Sequence, residues 1–217
     1  MGYDETAKQV IEELFALLAN DPVETPRLFL RPFRETDLPD LYEYLSQTEQ
    51  RRLSGNCVVD TLDDARAVLD RVLDPGLPPH SFAVVLKAED KVIGNLSVGR
   101  YPFLGRDPVL QPLRGVTLSY VLNENYWRRG LMTELLRACL PVFFEKAELD
   151  YVQSGYFEFN AASAALQRKL GMQPWTGEEI ELNGETIRTQ EMILFRETWL
   201  AGAGAPEDRQ KSQRQPE

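Results

Sequence analysis

Between positions 120 and 134 the chain reads Tyr120-Val121-Leu122-Asn123-Glu124-Asn125-Tyr126-Trp127-Arg128-Arg129-Gly130-Leu131-Met132-Thr133-Glu134. An apolar strand pattern runs through a short polar turn into a helical one, and Gly130 falls where the helix begins. The first N–H groups of a helix lack internal partners, and with the helix dipole they form a site for an anion. Glycine permits close approach, and Arg128 and Arg129 add positive charge. No G-x-x-x-x-G-K-[ST] occurs, so this is a phosphate cradle without a Walker sequence. On its own the stretch is equally an ordinary strand-to-helix turn. A second stretch, Asn160-Ala161-Ala162-Ser163-Ala164-Ala165-Leu166-Gln167-Arg168-Lys169-Leu170-Gly171-Met172, follows the next strand pattern. Asn160 is a helix N-cap by type and position. Ser163 lies one turn into that helix.

Other chemistries are limited by what the chain lacks. It has one histidine, His80, and two cysteines, Cys57 and Cys139. A Cys/His metal cluster and a disulfide framework are therefore unavailable, and no metal site is expected. A serine triad would need His80, which stands beside two prolines and reads as a loop residue. The cysteines read as small buried apolar residues. Acidic residues number 34 and basic residues 24, a net charge of −10. That balance disfavours nucleic-acid partners and mildly attracts a cationic substrate. With 217 residues, 43% apolar and 27% charged, the chain suits one large domain with extensions. No apolar run nears the ~20 residues that span a bilayer. Asp4, Glu5, Glu12 and Glu13 are unlike an export or transit signal, so a cytoplasmic protein without membrane contact is expected. Met1 to Thr6 fits the loose myristoylation pattern, with nothing polybasic after it.

The elements that must position these residues follow from periodicity. Ala7, Val10, Ile11, Leu14, Leu17 and Leu18 line one face of a helix over 5–19, either packed on the main domain or forming a dimer contact. Arg27 to Phe33 alternates as a strand. Thr36 starts a helix to Ser46, and Thr61 starts another that ends at Pro75-Gly76. Strands are predicted over 81–87, 91–99 and 116–122, with a long loop over 102–114. Arg129 to Ala147 is helical, with a kink or early end at Pro141. A strand over 151–157, a helix over 161–170 and a hairpin through Asn183-Gly184 complete the domain. Residues 1–24 form a helical extension, 25–200 the main domain, and 201–217 a tail expected to be disordered. The order is mixed α/β (α+β), with mostly antiparallel strands around a single β-α-β crossover.

Taken together, the two motif stretches resemble the GCN5-related N-acetyltransferase (GNAT) superfamily, and within it the ribosomal-protein N-acetyltransferase-like branch. The resemblance includes Leu118 to Leu122, Tyr126-Trp127, the x-x-G-x-x-T-E run ending at Glu134, Asn160-x-x-Ser163 and Leu166-x-x-Lys169-Leu170-Gly171. Thr25-x-Arg27-Leu28-x-Leu30-Arg31-Pro32, Ile93-Gly94 and Asn183-Gly184 also match, so it extends over about residues 25–198. It implies the GNAT fold and acetyl-CoA as donor. In that pattern the strand Tyr120-Val121-Leu122 would bind the donor, the backbone of Val121 and Leu122 pairing with the pantetheine arm. The N–H groups of Arg128, Arg129, Gly130, Leu131, Met132 and Thr133 would hold the pyrophosphate. Asn160 would hydrogen-bond the pantetheine arm, cap its helix, or do both. Ser163 would be a candidate general acid for the departing thiolate, with water as the alternative. Trp127 and Met132 depart from the superfamily's [Q/R]-x-x-G-x-[G/A]. Gln167 stands where many members place a tyrosine acid, and a neutral amide is a poor proton donor.

Attack on a thioester needs a neutral amine. An α-amine of pKa about 7.8 is roughly a tenth neutral at pH 7, a lysine amine under about one in a thousand. A carboxylate base would help, and Glu124, directly after the strand, is the candidate. Asp37, Glu49 and Asp107 are alternatives. A backbone N–H near Val121 would stabilise the oxyanion. Tyr42, Tyr101, Phe103, Tyr156 and Trp175 are candidate walls for the acceptor, a peptide N-terminus or a small-molecule amine. The expectation is an N-acetyltransferase working by direct attack. The alternatives are a non-catalytic acyl-CoA-binding sensor domain and the use of a different acyl group.

Overall fold

A computed structural model describes residues 5–55, 58–77, 80–99, 107–182 and 184–203. Met1 to Asp4, Cys57, Tyr101, Phe103, Asn183 and 204–217, all addressed above, lie outside the described residues.

The first helix, α1 (Glu5–Asn20), turns Val10, Ile11, Leu14 and Leu18 into the core, and Phe15 stacks on Phe82 with ring centroids 4.4 Å apart. Its apolar face is thus occupied by the chain's own sheet, so the helix packs on the main domain. The strands are β1 (Leu28–Pro32), β2 (Ser81–Leu86), β3 (Lys91–Gly99), β4 (Gly115–Leu122), β5 (Tyr151–Phe157), β6 (Gln173–Leu182) and β7 (Glu185–Phe195). Among the described residues they form one mixed sheet in the order β1-β2-β3-β4-β5-β7-β6. Every neighbouring pair is antiparallel except β4 and β5. Those two are joined by the crossover helix α5 (Leu131–Pro141), as a parallel connection requires. The expected mixed α/β class is what the structure shows.

Each face of the sheet buries its own set of side chains. On one, Leu28, Leu30, Phe82, Val84, Leu96 and Leu118 meet Leu14 and Leu18 of α1 and Leu135, Leu136 and Cys139 of α5. On the other, Ala83, Val85, Val92 and Val121 meet α2 (Leu38–Leu45) and α4 (Leu62–Leu73). A capping box starts α4: Thr61 Oγ1 accepts from Asp64 N–H at 3.2 Å, and Asp64 Oδ2 accepts from Thr61 N–H at 2.8 Å. A short helix, α3 (Thr48–Ser54), was not expected, because its residues Thr-Glu-Gln-Arg-Arg-Leu-Ser carry almost no apolar period. The helix expected over 129–147 changes at Pro141, beyond which Val142–Lys146 is π-helical; proline's missing N–H ends the α-helical ladder there. The final hairpin starts earlier than expected, at Gln173. Just past position 201, where the tail was expected to begin, Gly202 is left-handed (φ 98°) and kinks the helical turns of Trp199–Ala203.

Parallel pairing of β4 with β5 lasts for only three residues: Gly115↔Tyr151, Val116↔Val152 and Thr117↔Gln153. Both strands continue, to Leu122 and Phe157, without pairing to each other. The sheet is therefore split from Leu118 onward.

The burial of α1 gives a direct test. Leu14→Ala is expected to lower the unfolding free energy by about 2–5 kcal/mol, from lost burial and an unfilled cavity. Glu12→Ala, on the exposed side, should stay within about 0.5 kcal/mol in the same urea titration.

Candidate active site

The split opens a cleft of about 1280 Å³. Tyr120, Ser163 and Leu166 line it from one side of the sheet, and Thr117, Gly155 and Glu191 from the other. Three regions of this cleft have distinct chemistry.

At one end lies the turn into α5. Gly130 sits before its first residue in the left-handed region (φ 72°, ψ 8°), and Arg128 is left-handed too (φ 59°). No side chain caps the helix. The one acid of its first turn, Glu134, is drawn aside: its Oε1 accepts from Thr25 Oγ1 at 2.6 Å and its Oε2 from Arg27 Nε at 2.7 Å. Burial opposes ionisation, yet these hydrogen bonds hold the Glu134 carboxyl below its ordinary range. Arg27 Nη1 also donates to Arg129 O at 3.0 Å, which braces the turn. The bare N–H groups thus face a region without a competing carboxylate, as an anion site requires. Of the paired arginines, Arg128 lines the cleft. Arg129 folds back, its Nη2 donating to Asn125 O at 2.7 Å and its guanidinium 5.0 Å over the Tyr126 ring.

The middle is the free edge of β4. Asn123 N–H donates to Ile93 O at 2.8 Å. In an antiparallel pair successive residues alternate between the two edges. The register Asn95↔Val121 and Leu96↔Tyr120 therefore directs Val121's N–H and C=O to β3. Those of Leu118, Tyr120 and Leu122 point to the opening. This corrects the expectation that Val121 offers its backbone; the register, not the motif, sets which residue does. Leu122 O already accepts from Trp127 Nε1 at 2.7 Å, so this indole fixes where the strand ends.

Beside that edge is a cluster of hydroxyls. Ser163 Oγ lies 2.8 Å from Tyr120 Oη. Gln167 Nε2 donates towards Ser163 Oγ at 3.1 Å, Tyr120 Oη at 3.2 Å and Ser154 Oγ at 3.2 Å. Burial pushes the Tyr120 phenol above its ordinary pKa, so it stays protonated. Tyr120 on β4 thus places a phenol beside Ser163 and Gln167. Sequence spacing could not show this, because the partners are 43 residues apart. Asn160 caps α6 (Ala161–Lys169): its Oδ1 accepts from Ser163 N–H and its Nδ2 donates to Leu53 O, both at 3.0 Å.

Across the sheet stands Glu191 on β7, opposite Gly155 on β5. A Cβ at Gly155 would run into Glu191 Oε1, so glycine there lets the carboxylate lie over the strand. Burial first, then the charge of Glu178, push the Glu191 carboxyl above its ordinary pKa, and a hydrogen bond from Gln153 only partly offsets them. Glu191 was missed in the sequence. Nothing local marks it, and only the pairing of β5 with β7 brings it to the split.

Glu124 is not brought into the cleft. Its Oε1 accepts from Gln50 N–H at 2.7 Å, which caps the N-terminus of α3. Asp37 is buried and bidentate with Arg31 at 2.7 and 2.8 Å, away from the cleft. Glu49 lines the cleft and is paired with Arg52 at 2.6 Å. Asp107 lines it and accepts from Trp175 Nε1 at 2.9 Å. Tyr156 and Trp175 are wall residues, whereas Tyr42 packs in the α2–α4 core. His80 leads into β2, its carbonyl accepting from Val98 N–H at 2.7 Å. Cys139 is fully buried, and burial pushes its thiol up to about 12, so it is inert at neutral pH.

Residues 27–173 match the family model described as acetyltransferase (GNAT) domain. The chain belongs to the GNAT acetyltransferase family. It is similar to the uncharacterized N-acetyltransferase YnaD of Bacillus subtilis, with 26% identity over 151 residues, 70% of this chain and 82% of that protein. The fold is shared with a GNAT-family acetyltransferase from Bacillus anthracis, with a TM-score of 0.69, 20% identity, and coverage of 81% of this chain and 99% of that one. It is shared too with the ribosomal-protein-S5-alanine acetyltransferase from Vibrio fischeri, with a TM-score of 0.62, 18% identity, and coverage of 82% and 98%. This GNAT domain therefore combines a split sheet with a tyrosine–serine–glutamine cluster and a half-buried glutamate.

The glutamate predicts a pH signature. A carboxyl whose folded-state pKa is raised is protonated in both states at low pH, so its stability contribution is whole below the unfolded pKa. That contribution is lost as pH rises through the folded pKa. Glu191→Gln is accordingly expected to be more stable than the parent at pH 7, with the gain vanishing as the pH approaches 4. Urea midpoints at both values check it. A variant less stable at pH 7 would show that Glu191 is not held against its charge.

Proposed function

We propose that this GNAT domain transfers an acetyl group from acetyl-CoA to a primary amine by direct attack. The observation that carries the reading is the pair of proton-handling groups on opposite sides of one split: Ser163 with Tyr120 on one, Glu191 on the other. The bare start of α5 is suited to the donor's diphosphate, with Arg128 beside it. The open edge of β4 is suited to pantetheine amides, which would add to it as a short strand. The thioester then comes to rest next to Ser163.

The residues have complementary work. Glu191, with its raised pKa, takes a proton from the entering ammonium, which frees the nitrogen lone pair. The nitrogen attacks the thioester carbonyl, giving a tetrahedral intermediate with one N–H proton in excess. As the carbon–sulfur bond breaks the thiolate accepts a proton from Ser163 Oγ, and the excess proton leaves the new amide nitrogen through water and refills the Ser163–Tyr120 pair. Tyr120 Oη, 2.8 Å behind it, can return that proton. No paired nucleophile is needed, and positioning supplies most of the acceleration.

Two measurements test the reading. Acetyl-CoA at ~100 times its dissociation constant should stabilise the fold by about 2.7 kcal/mol in thermal unfolding. Gly130→Glu should remove that shift by placing bulk and negative charge in the cradle; a shift that persists would refute the cradle. Thiol release over peptides and amines should fall at least tenfold in kcat for Ser163→Ala and for Glu191→Gln, a loss typical of removing one acid or base. Donor binding without thiol release from any amine would favour the sensor alternative over catalysis.

A further inference from the structure

The acceptor side of the cleft carries three carboxylates besides the paired Glu49. Glu178, Glu191 and Asp107 all line it. Glu178 pairs in register with Thr189, and Thr189 shares a face of β7 with Glu191, so the two glutamates point to the same side. Among the described residues none of the three carboxylates has an ion-pair partner. The nearby cations are engaged elsewhere: Arg52 with Glu49 at 2.6 Å and over the Phe159 ring, Arg188 with Glu179 at 2.9 Å. Asp107 is tied to the wall by the Trp175 indole, which fixes its position and leaves its charge uncompensated.

Two further atoms point the same way. Gln50 and Thr117 are each 3% exposed and line the cleft, and Gln50 Oε1 and Thr117 Oγ1 have no hydrogen-bond partner. Buried polar atoms without partners are uncommon in native proteins and call for a ligand or water. A Gln carbonyl oxygen and a set of carboxylates ask for N–H donors. An alkylammonium group has three donors and no acceptor.

We propose that the acceptor is a small aliphatic polyamine carrying at least two cationic nitrogens, one delivered to Glu191 and another held at the rim by Glu178 and Asp107. This rests on the transferase reading above and names its substrate class. A neutral peptide backbone brings as many acceptors as donors and no second charge, so it meets this surface less well. The second ammonium also relieves the repulsion between Glu178 and Glu191, which otherwise face each other without a cation. The product keeps the distal charge and loses only the reacting one, which weakens its hold on Glu191 and favours release.

The experiment compares putrescine, spermidine, butylamine and a tetrapeptide with a free α-amine and no basic side chain, at saturating acetyl-CoA. The diamine's kcat/KM should exceed that of butylamine by at least about tenfold, within the range measured for close charge pairs across an interface. Glu178→Gln should narrow that ratio by roughly fivefold, the upper range for one exposed ion pair. Calorimetric titration of putrescine and butylamine into the protein–CoA complex reads the same preference without turnover. Butylamine or the peptide matching the diamine, or a ratio indifferent to Glu178→Gln, overturns the proposal while leaving transfer itself intact. Absence of any thermal shift with CoA instead defeats the underlying donor site. A diamine preference in binding without transfer overturns the diamine's role as acceptor and removes the catalytic reading.

Discussion

A parallel strand pair that separates after three residues governs everything else in this protein. Had β4 and β5 stayed paired to their ends, the edge groups of Leu118, Tyr120 and Leu122 would be satisfied within the sheet and no cleft would exist. The separation leaves backbone groups exposed at the centre of a sheet, where unpaired groups are costly. The surroundings hold it open. Trp127 pins the end of β4 through Leu122 O, and α6 sets Ser163 and Gln167 against Tyr120. Asn160 ties that helix to α3.

Both sides of the opening then acquire opposite character. The start of α5 is stripped of competing negative charge, because Thr25 and Arg27 occupy Glu134. The far side gathers Glu178, Glu191 and Asp107, without ion-pair partners among the described residues. Under the proposed function, a donor anion and an acceptor cation are drawn to opposite ends of one cleft and meet at the split in the sheet. The Ser163–Tyr120 pair and Glu191 belong to different faces for a simple reason: alternation along β4 places Tyr120 on one face and Thr117 on the other, and β7 brings Glu191 to the second. Gly155 is the concession that makes room for that carboxylate.

Much of this was legible in the residues themselves. The strand, the turn at Gly130 and the start of α5 form a local unit whose period changes from two to three or four, and the structure places them as expected. The N-cap at Asn160 was legible for the same reason, since its partner Ser163 is three residues away. What could not be read was set by register and by distant pairing. Val121 was expected to offer its backbone, yet its parity against β3 turns it inward. Glu124 has the right type beside the strand, but the unforeseen α3 takes its carboxylate as a cap. Glu191 and Tyr120 enter the site through contacts across the sheet that no spacing encodes. The loss of tyrosine at Gln167 looked like a missing acid, whereas that amide orients the phenol of Tyr120.

Amide-resolved NMR on the chain with and without coenzyme A tests the split sheet most directly. The N–H signals of Leu118, Tyr120 and Leu122 should shift and become protected from exchange on titration, together with those of Gly130 to Thr133, while Ser119 and Val121, already bonded to β3, change little. Equal protection of odd and even residues, or no change along β4 at saturating coenzyme A, would contradict the account at its root.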